Sequence, residues 1–323
     1  MAGNLPPSPG FTHTGRAMRP FRFGVSTSYA ASGEEWADGA RRAEALGYDV
    51  LVVTDHLTGQ LSPVPAMAAA ASATTRIRIG SYVFANDFRH PLLLAREAAT
   101  LDVLSGGRLE FGIGAGWRVS DYTQLGVAYD PPARRIDRME EAVAIIRRLF
   151  AGETVTHVGQ AYAIRRARLA PAPVQRPIPL MLGGGGPRLL RIAARHADIV
   201  NFIPQFNAAG RPILRQVTEG ALVEKVAVVR TAAGPRFGEL ELSLFLGAAG
   251  MVGSGSGALP SLAAAGMAAL GQVARSPYVL FGTRRGLGEL LQRRRDRLGI
   301  SGYVIPGPAM EAMAPLVEDL AGR

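Results

Sequence analysis

The sequence has no cysteine in 323 residues. That absence removes disulfides, thiolate nucleophiles and cysteine-ligated zinc or iron–sulfur sites, and suits a reducing cytoplasm. Lysine is nearly absent too. The single Lys225 sits in ALVEKVAVV, so there is no GK[ST] phosphate loop and no obvious Schiff-base lysine. The five histidines, at 13, 56, 90, 157 and 196, form no HxxxH or HxH pair, which argues against a catalytic metal. Long apolar runs are missing as well. Leu242 to Ala274 carries no charge, but glycines at 250, 253, 255, 257 and 266 and Pro260 interrupt it. A spanning helix needs roughly 20 continuous apolar residues, so strand, glycine loop and buried helix is the reading, and no membrane is expected. Residues 1–20 lack the apolar core of a signal peptide and carry three prolines before Gly10; they read as a flexible N-terminal tail on a cytoplasmic protein.

What is present describes a globular chain: 48% hydrophobic residues, 19% charged and no long low-complexity tract. The net charge of +10 comes almost wholly from arginine. Such an excess fits a nucleic acid, an anionic cofactor, or a codon preference for Arg over Lys. The pairs and triplets, such as Arg147-Arg148 and Arg293-Arg294-Arg295, fall mostly on amphipathic helices, so solvated helix faces are favoured and no nucleic-acid partner is expected.

Strand-like runs alternate with helical periods, the pattern of βα units on a parallel sheet. Strands are predicted at 21–26, 50–53, 76–84, 108–114, 178–182, 198–202, 240–246 and 301–305. Between them, Trp36, Ala40, Ala43 and Leu46 share one helix face, as do Leu94, Ala98, Leu101 and Leu104, and again Ile136, Met139, Val143, Ile146 and Phe150. The segment 152–169 breaks the rhythm and reads as a β-hairpin insertion turning at Gly159-Gln160. Eight βα units in one domain, 21–323, predict a closed (β/α)8 TIM barrel with its active site at the C-terminal strand ends; an open doubly wound sheet is the alternative.

Three stretches point to chemistry. DVLVVTDHL carries a strand buried on both faces and then delivers Asp55 and His56 side by side to the barrel mouth, although Asp is also a common helix cap. LGGGGPRLL places Gly183, Gly184, Gly185 and Gly186 after a strand and Pro187 at a helix start, where backbone amides and the helix dipole cradle a phosphate. Arg188 adds a charge there, or lies on the surface. The pattern is not a dinucleotide fingerprint, because Arg188 stands at the third glycine position. FGIGAGW has glycines at 112, 114 and 116, which leave room for a flat ring or for tight barrel packing. His90, before a helix, reads as structural, and GSGSG at 253–257 as a mouth loop and not a nucleophile elbow.

With TDH after the second strand, NDFRHP and ATLDVLSGGRLEFGIGAGW around the third and fourth, LGGGGPRLLRIAARHAD, and SPYVLFGT near the end, the chain resembles the bacterial luciferase-like monooxygenase superfamily, and within it the oxidoreductases that use coenzyme F420. The resemblance runs from Phe21 to the C-terminus. It implies a luciferase-like TIM barrel with a deazaflavin in its mouth, and hydride transfer between that ring and a small alcohol, carbonyl, C=C or C=N substrate. His56 would be the catalytic proton donor or acceptor. Asp55 would contact the ring, and Ser81, Tyr82 and Val83 would form a bulge behind it with a non-prolyl cis peptide between Tyr82 and Val83. Asn86 and Gly114 would lie along the cofactor, with its phosphate on Gly183 to Pro187. The resemblance also implies a homodimer. In the sugar-phosphate dehydrogenase branch a tryptophan follows the histidine by four residues and a glutamate follows the third glycine of the loop; here Gln60 and Trp117 stand there and would face substrate, Trp117 suiting a flatter, more apolar one. An FMN-dependent monooxygenase of the same fold is the alternative, and a non-catalytic basic barrel that binds RNA or a ligand is the second.

Overall fold

The computed structural model describes residues 18–207, 211–251 and 276–323. The predicted tail up to residue 17, the GSGSG loop and the predicted helix of residues 252–275 lie outside the described residues. In chain order the elements are β1 (Arg22–Ser26), α1 (Gly33–Ala45), β2 (Val50–Val53), α2 (Pro63–Ala73), β3 (Arg78–Ser81), β4 (Phe84–Ala85), α3 (Pro91–Leu104), β5 (Leu109–Gly114), α4 (Val119–Leu125) and α5 (Pro132–Phe150). Next come β6 (Val155–Val158), β7 (Ala163–Ala167), β8 (Leu180–Gly184), α6 (Pro187–His196), β9 (Ile199–Phe202), α7 (Glu219–Ala233), β10 (Glu241–Phe245), β11 (Ala248–Met251), β12 (Val279–Gly282), α8 (Arg284–Leu298), β13 (Ile300–Pro306) and α9 (Met310–Leu320).

Eight parallel strands close on themselves in the order β3-β2-β1-β13-β10-β9-β8-β5, with β3 pairing back to β5. That last pairing is what an open doubly wound sheet lacks. The strands expected from sequence form this barrel, with one departure. The run 76–84 is not continuous: β3 pairs β5 through Ile79↔Leu109 and Gly80↔Glu110, while β4 pairs it through Phe84↔Ile113 and Ala85↔Gly114. Residues 81–83 therefore stand opposite two residues, 111 and 112, and the strand bulges at that point. The insertion is the antiparallel pair β6–β7, and Glu141 of α5 holds it by accepting from Tyr162 N at 2.9 Å and bonding His157 Nε2 at 2.9 Å. Not foreseen is the short parallel pair β11–β12.

The period of two sorts the strand residues into two compartments. On β2, Leu51 and Val53 face the large core between barrel and helices, whereas Val50 and Val52 meet Val304 and Tyr82 inside the barrel. The outer compartment holds the bulk of the apolar surface, including Phe21, Phe23, Phe111 and Phe202, each worth about 1.5–3 kcal/mol of burial. Leu104, placed on the α3 core face by its spacing, is 63% exposed, because the helix ends there at Ser105 and the last turn leaves the barrel.

The N-terminal end of the barrel is plugged by charge. Arg22 Nη1 lies 2.7 Å from Glu241 Oε2 and its Nη2 bonds Glu110, which Arg78 Nε also holds at 2.7 Å. Burial alone would lower the Arg22 pKa; the two carboxylates override it and raise it. Burial likewise raises Glu241. On the outside, arginines are matched by acids on the helices, as in Arg42 with Glu311 at 2.6 Å and Arg284 with Asp319 at 2.6 Å, which is the solvated-face arrangement. Among the described residues, no helix is long and apolar enough to cross a membrane.

Arg22→Met leaves Glu241 buried without its cation and is expected to cost about 3–5 kcal/mol in denaturant unfolding at neutral pH. The loss shrinks near pH 5, because a carboxyl already pushed up by burial protonates and sheds its charge. An equal loss at both pH values refutes the charge plug.

Candidate active site

His56 and its partner come from different strand ends. β2 ends in Thr54-Asp55-His56, and the imidazole, half-buried, places Nδ1 2.6 Å from Oδ2 of Asp121 on α4. An ionised carboxylate only accepts hydrogen bonds, so Nδ1 carries the proton and Nε2 is left with its lone pair. Burial lowers the His56 pKa and the nearby Arg118 lowers it further, while the Asp121 bond and the charges of Asp121 and Asp55 act upward. The net shift is downward, which keeps the ring neutral near pH 7.

Asp55 is buried and fully engaged: Arg89 grips both its oxygens, at 2.6 and 3.1 Å, and Ala85 N donates to it at 3.0 Å. The resemblance puts this residue against the ring; within the chain its carboxylate joins the end of β2 to the β4 bulge. Gln60 accepts from Thr54 Oγ1 at 2.7 Å, and Thr54 also bonds Ser28 Oγ at 2.8 Å, so the Gln60 side chain folds back on its own loop.

Trp117 follows β5 and meets the His56 ring edge-on, centroids 5.6 Å apart. One indole face stacks on Phe206, beyond the end of β9, at 4.9 Å. The Arg118 guanidinium lies 5.2 Å from the indole centroid. This wall is held from behind by Arg135, a buried arginine of α5 whose Nη1 donates to Ala115 O at 2.9 Å and also to Gly116 O, while Tyr129 Oη, itself bonded by Arg135, donates to Trp117 O at 3.0 Å. Gly116 has φ +70°, and a Cβ there would strike Tyr122 Oη, so the loop turns only with glycine at this position.

The peptide between Tyr82 and Val83 is cis. Ser81 Oγ donates to Gly112 O at 2.8 Å and accepts from Gly112 N at 2.9 Å, and Tyr82 Oη donates to Asn201 Oδ1 at 3.1 Å. Val83 then lies across the glycines of β5: a Cβ on Gly112 or Gly114 would come within 3.0 or 2.8 Å of its methyl groups. The FGIGAG pattern thus makes room for Val83 and the bulge. Asn86 is buried, its Nδ2 donating to Tyr162 Oη of the hairpin insertion at 3.0 Å.

The glycine turn is shaped by contact on its far side. A Cβ on Gly184 would collide with Leu189, one on Gly185 would lie 2.5 Å from Ile203 O, and one on Gly186 would lie 2.9 Å from Gln205 Nε2. α6 starts at Pro187, and helix geometry leaves the amides of its first turn without carbonyl partners. Arg188 turns away from them: its guanidinium pairs with Asp137 and Ala133 O on α5, because an acid stands opposite it on that helix. The turn offers an anion backbone amides and a dipole, without this arginine. It adjoins Gln205, next to Phe206, which stacks on Trp117, which touches His56. The imidazole and the glycine turn therefore share one end of the barrel.

Sequence reasoning missed Asp121, Arg135 and Phe206. Asp121 and Phe206 reach their partners from another βα loop, Arg135 folds back from α5 onto the connection that precedes it, and none carries a local signal beyond its type; an acid and a Trp within five residues of the FGIGAG strand end were the nearest hint.

Arg135→Met removes the donors to Ala115 O and Gly116 O. Its expected effect is a red-shifted, more acrylamide-quenchable Trp117 emission, read against Trp36, which is buried at 4% exposure. An unchanged emission shows the wall does not depend on Arg135.

Residues 17–230 match the profile of the family described as luciferase-like monooxygenase. An F420-dependent glucose-6-phosphate dehydrogenase of Microbacterium testaceum (strain StLB037) is 35% identical over 188 residues, covering 55% of this chain and 55% of that protein. One from Beutenbergia cavernae (strain ATCC BAA-8 / DSM 12333 / CCUG 43141 / JCM 11478 / NBRC 16432 / NCIMB 13614 / HKI 0122) is 35% identical over 193 residues, 57% of this chain and 56% of its own. The alignments thus span about half the length of these curated relatives. Among solved structures, the coenzyme F420-dependent tetrahydromethanopterin reductase of Methanopyrus kandleri superposes with a TM-score of 0.74 at 18% identity, covering 94% of this chain and 98% of that one. An F420-dependent secondary alcohol dehydrogenase, solved with an F420–acetone adduct, gives 0.75 at 18% identity over 92% and 99%. These two likenesses establish the fold. With the closed parallel barrel and the matched profile together, the chain belongs to the luciferase-like monooxygenase family.

Proposed function

We propose that this protein is an F420-dependent oxidoreductase that moves a hydride between the deazaflavin ring and a small organic substrate held at His56. The observation that carries the reading is the unbroken path across the mouth from the His56–Asp121 pair through Trp117 and Phe206 to the glycine turn. The curated relatives matched over half their length are F420-dependent dehydrogenases, which favours the same cofactor here.

The residues fit such a group. The turn at Gly185 and Gly186 closes on Ile203 O and Gln205 only because neither residue carries a Cβ, and that backbone, together with the amides of Arg188 and Leu189 at the start of α6, suits a phosphate; the bulge of Ser81, Tyr82 and Val83 backs the space where a planar ring would lie. When bound, the deazaflavin supplies or accepts the hydride. The chain does the rest. Val83, seated on Gly112 and Gly114, would give the ring a rigid floor, and Asn86 and Gly114 would border it. Asp55 acts by fixing the loop between Arg89 and Ala85. Gly183 to Pro187 hold the anionic end.

His56 moves the proton. Asp121 fixes Nδ1, which points the Nε2 lone pair at the mouth and stabilises the imidazolium formed when a substrate hydroxyl gives up its proton. The Trp117–Phe206 wall presents a substrate with apolar, flat surface, so the substrate class we infer is a small, largely uncharged alcohol, carbonyl or imine, and not a sugar phosphate.

Absorbance titration of the purified protein with F420 and with FMN, followed by turnover against a panel of alcohols, carbonyls and imines, tests this. F420 is expected to bind more tightly and to be turned over; exclusive FMN binding overturns the cofactor. His56→Ala is expected to lower kcat by about 10²–10⁴ with F420 affinity nearly unchanged. Asp121→Asn removes an influence that raises the His56 pKa, so the acid limb of the pH–rate profile moves to lower pH while the plateau falls. A profile that stays put excludes the His56–Asp121 pair as the proton carrier.

A further inference from the structure

Lys225 is the one lysine among 36 basic residues, and it is buried on α7. Its Nζ donates to Ile203 O at 3.1 Å, to Gln216 O at 3.3 Å and to Tyr278 Oη at 2.9 Å, so three neutral oxygens take its three donors. Among the described residues it has no carboxylate partner. Glu219, on the same helix, is held at 3.0 Å by Arg294, and Arg215, beside Gln216, is exposed. A full positive charge is thus enclosed with dipoles alone.

Its position is specific. Ile203 O, the carbonyl it holds, is the atom pressed against Gly185, and Ile203 N donates to Gly184 O at 3.2 Å. One peptide segment separates the ammonium from the glycine turn. A compact ammonium accepts three converging oxygens where a planar guanidinium does not, which accounts for a lysine here in a chain that otherwise uses arginine.

We propose that Lys225 is the buried counter-charge of the Gly183–Gly186 turn, strengthening the binding of a phosphate there from behind the Ile203 segment without touching it. This rests on the reading of that turn as a phosphate seat. In a site screened from water a cation acts over several ångströms, and its effect adds to that of the turn amides. Lys225 is then a positioning and electrostatic residue, not a catalytic one.

The effect depends on pH. Burial lowers the Lys225 pKa to about 8. Its neighbour Tyr278 is pushed upward by burial and does not titrate in the same range. A bound anion favours the protonated ammonium, so affinity is greatest below that pKa and falls as pH rises through it.

The experiment is a binding titration of the full chain, followed by absorbance from about pH 6.5 to about pH 10, with F420 and with its phosphate-free deazaflavin chromophore as probes. Wild type is expected to lose about tenfold in F420 affinity across this range while chromophore affinity stays flat. Lys225→Met is expected to bind F420 about tenfold more weakly at pH 7, with no pH slope, and to bind the chromophore normally. A flat wild-type F420 profile overturns the proposal and needs no variant, so a Lys225→Met protein that fails to fold does not protect it. Gly185→Ala separates the two readings. If it weakens F420 and spares the chromophore while Lys225→Met keeps the wild-type slope, the counter-charge is wrong and the phosphate seat stands. If a folded Gly185→Ala protein binds F420 as wild type does, the phosphate seat itself fails.

Discussion

The closure of the barrel turns on Ser81 meeting Gly112, where one hydroxyl both donates to the carbonyl and accepts from the amide of the same residue. A Cβ at residue 112 would lie 2.2 Å from Ser81 O, so the approach exists only with glycine in that place. β3 and β5 are thereby joined just as they part, and the extra residue of the bulge carries Val83 into the barrel over Gly114. The bulge then sends Ala85 back to Asp55, and Asp55 to Arg89. One backbone contact, through the bulge it creates, thus fixes both the floor of the mouth and the loop that bears His56.

Charge is sorted along the barrel axis in keeping with that frame. At the N-terminal end Arg22, Glu110, Glu241 and Arg78 satisfy one another, and their closeness makes the end a stopper. At the C-terminal end the carboxylates are spoken for by cations or by His56, and Arg188 is drawn off to Asp137. Among the described residues, the glycine turn presents backbone amides, and the cation close behind it, Lys225, is enclosed. A net charge of +10 does not by itself describe this surface, because many of the exposed arginines already face an acid on a neighbouring turn or helix.

The barrel was legible in the sequence because period-two and period-3.6 patterns alternate strongly, and because Gly47, Ser105-Gly106-Gly107 and Pro91 punctuate them where the helices stop and start. The run 76–84 read as one strand because Tyr82 and Val83 are good strand residues, and the bulge at Ser81 to Val83 came from the family resemblance alone; the extra residue against β5 is a matter of pairing, which no single strand records. The same limit hid Asp121. It is 65 residues from His56 in sequence, and only the return of two strands to one end brings the carboxylate to 2.6 Å. The glycines of FGIGAG read as room for a flat ring or as tight packing, and Gly112 and Gly114 yield to Val83; those of LGGGGP read as a phosphate cradle, and the close approach of Gly185 to Ile203 O carried no sequence signal.

The environment of His56 bears on direction. Burial and Arg118 oppose charge on the imidazole before reaction, whereas Asp121, bonded to Nδ1, favours charge once it forms. A group so placed begins neutral and has a stabilising partner ready for the proton it gains. In the function proposed above, that ordering suits removal of a hydroxyl proton as hydride leaves the same carbon. Reduction would require the imidazolium to wait in a site that burial makes unfavourable to it, and bound substrate, by excluding more water, would deepen that cost. The same exclusion strengthens the hold of Asp121, and the balance between these two effects, set by how fully Trp117 and Phe206 cover the pair, decides how one-sided the proton transfer is.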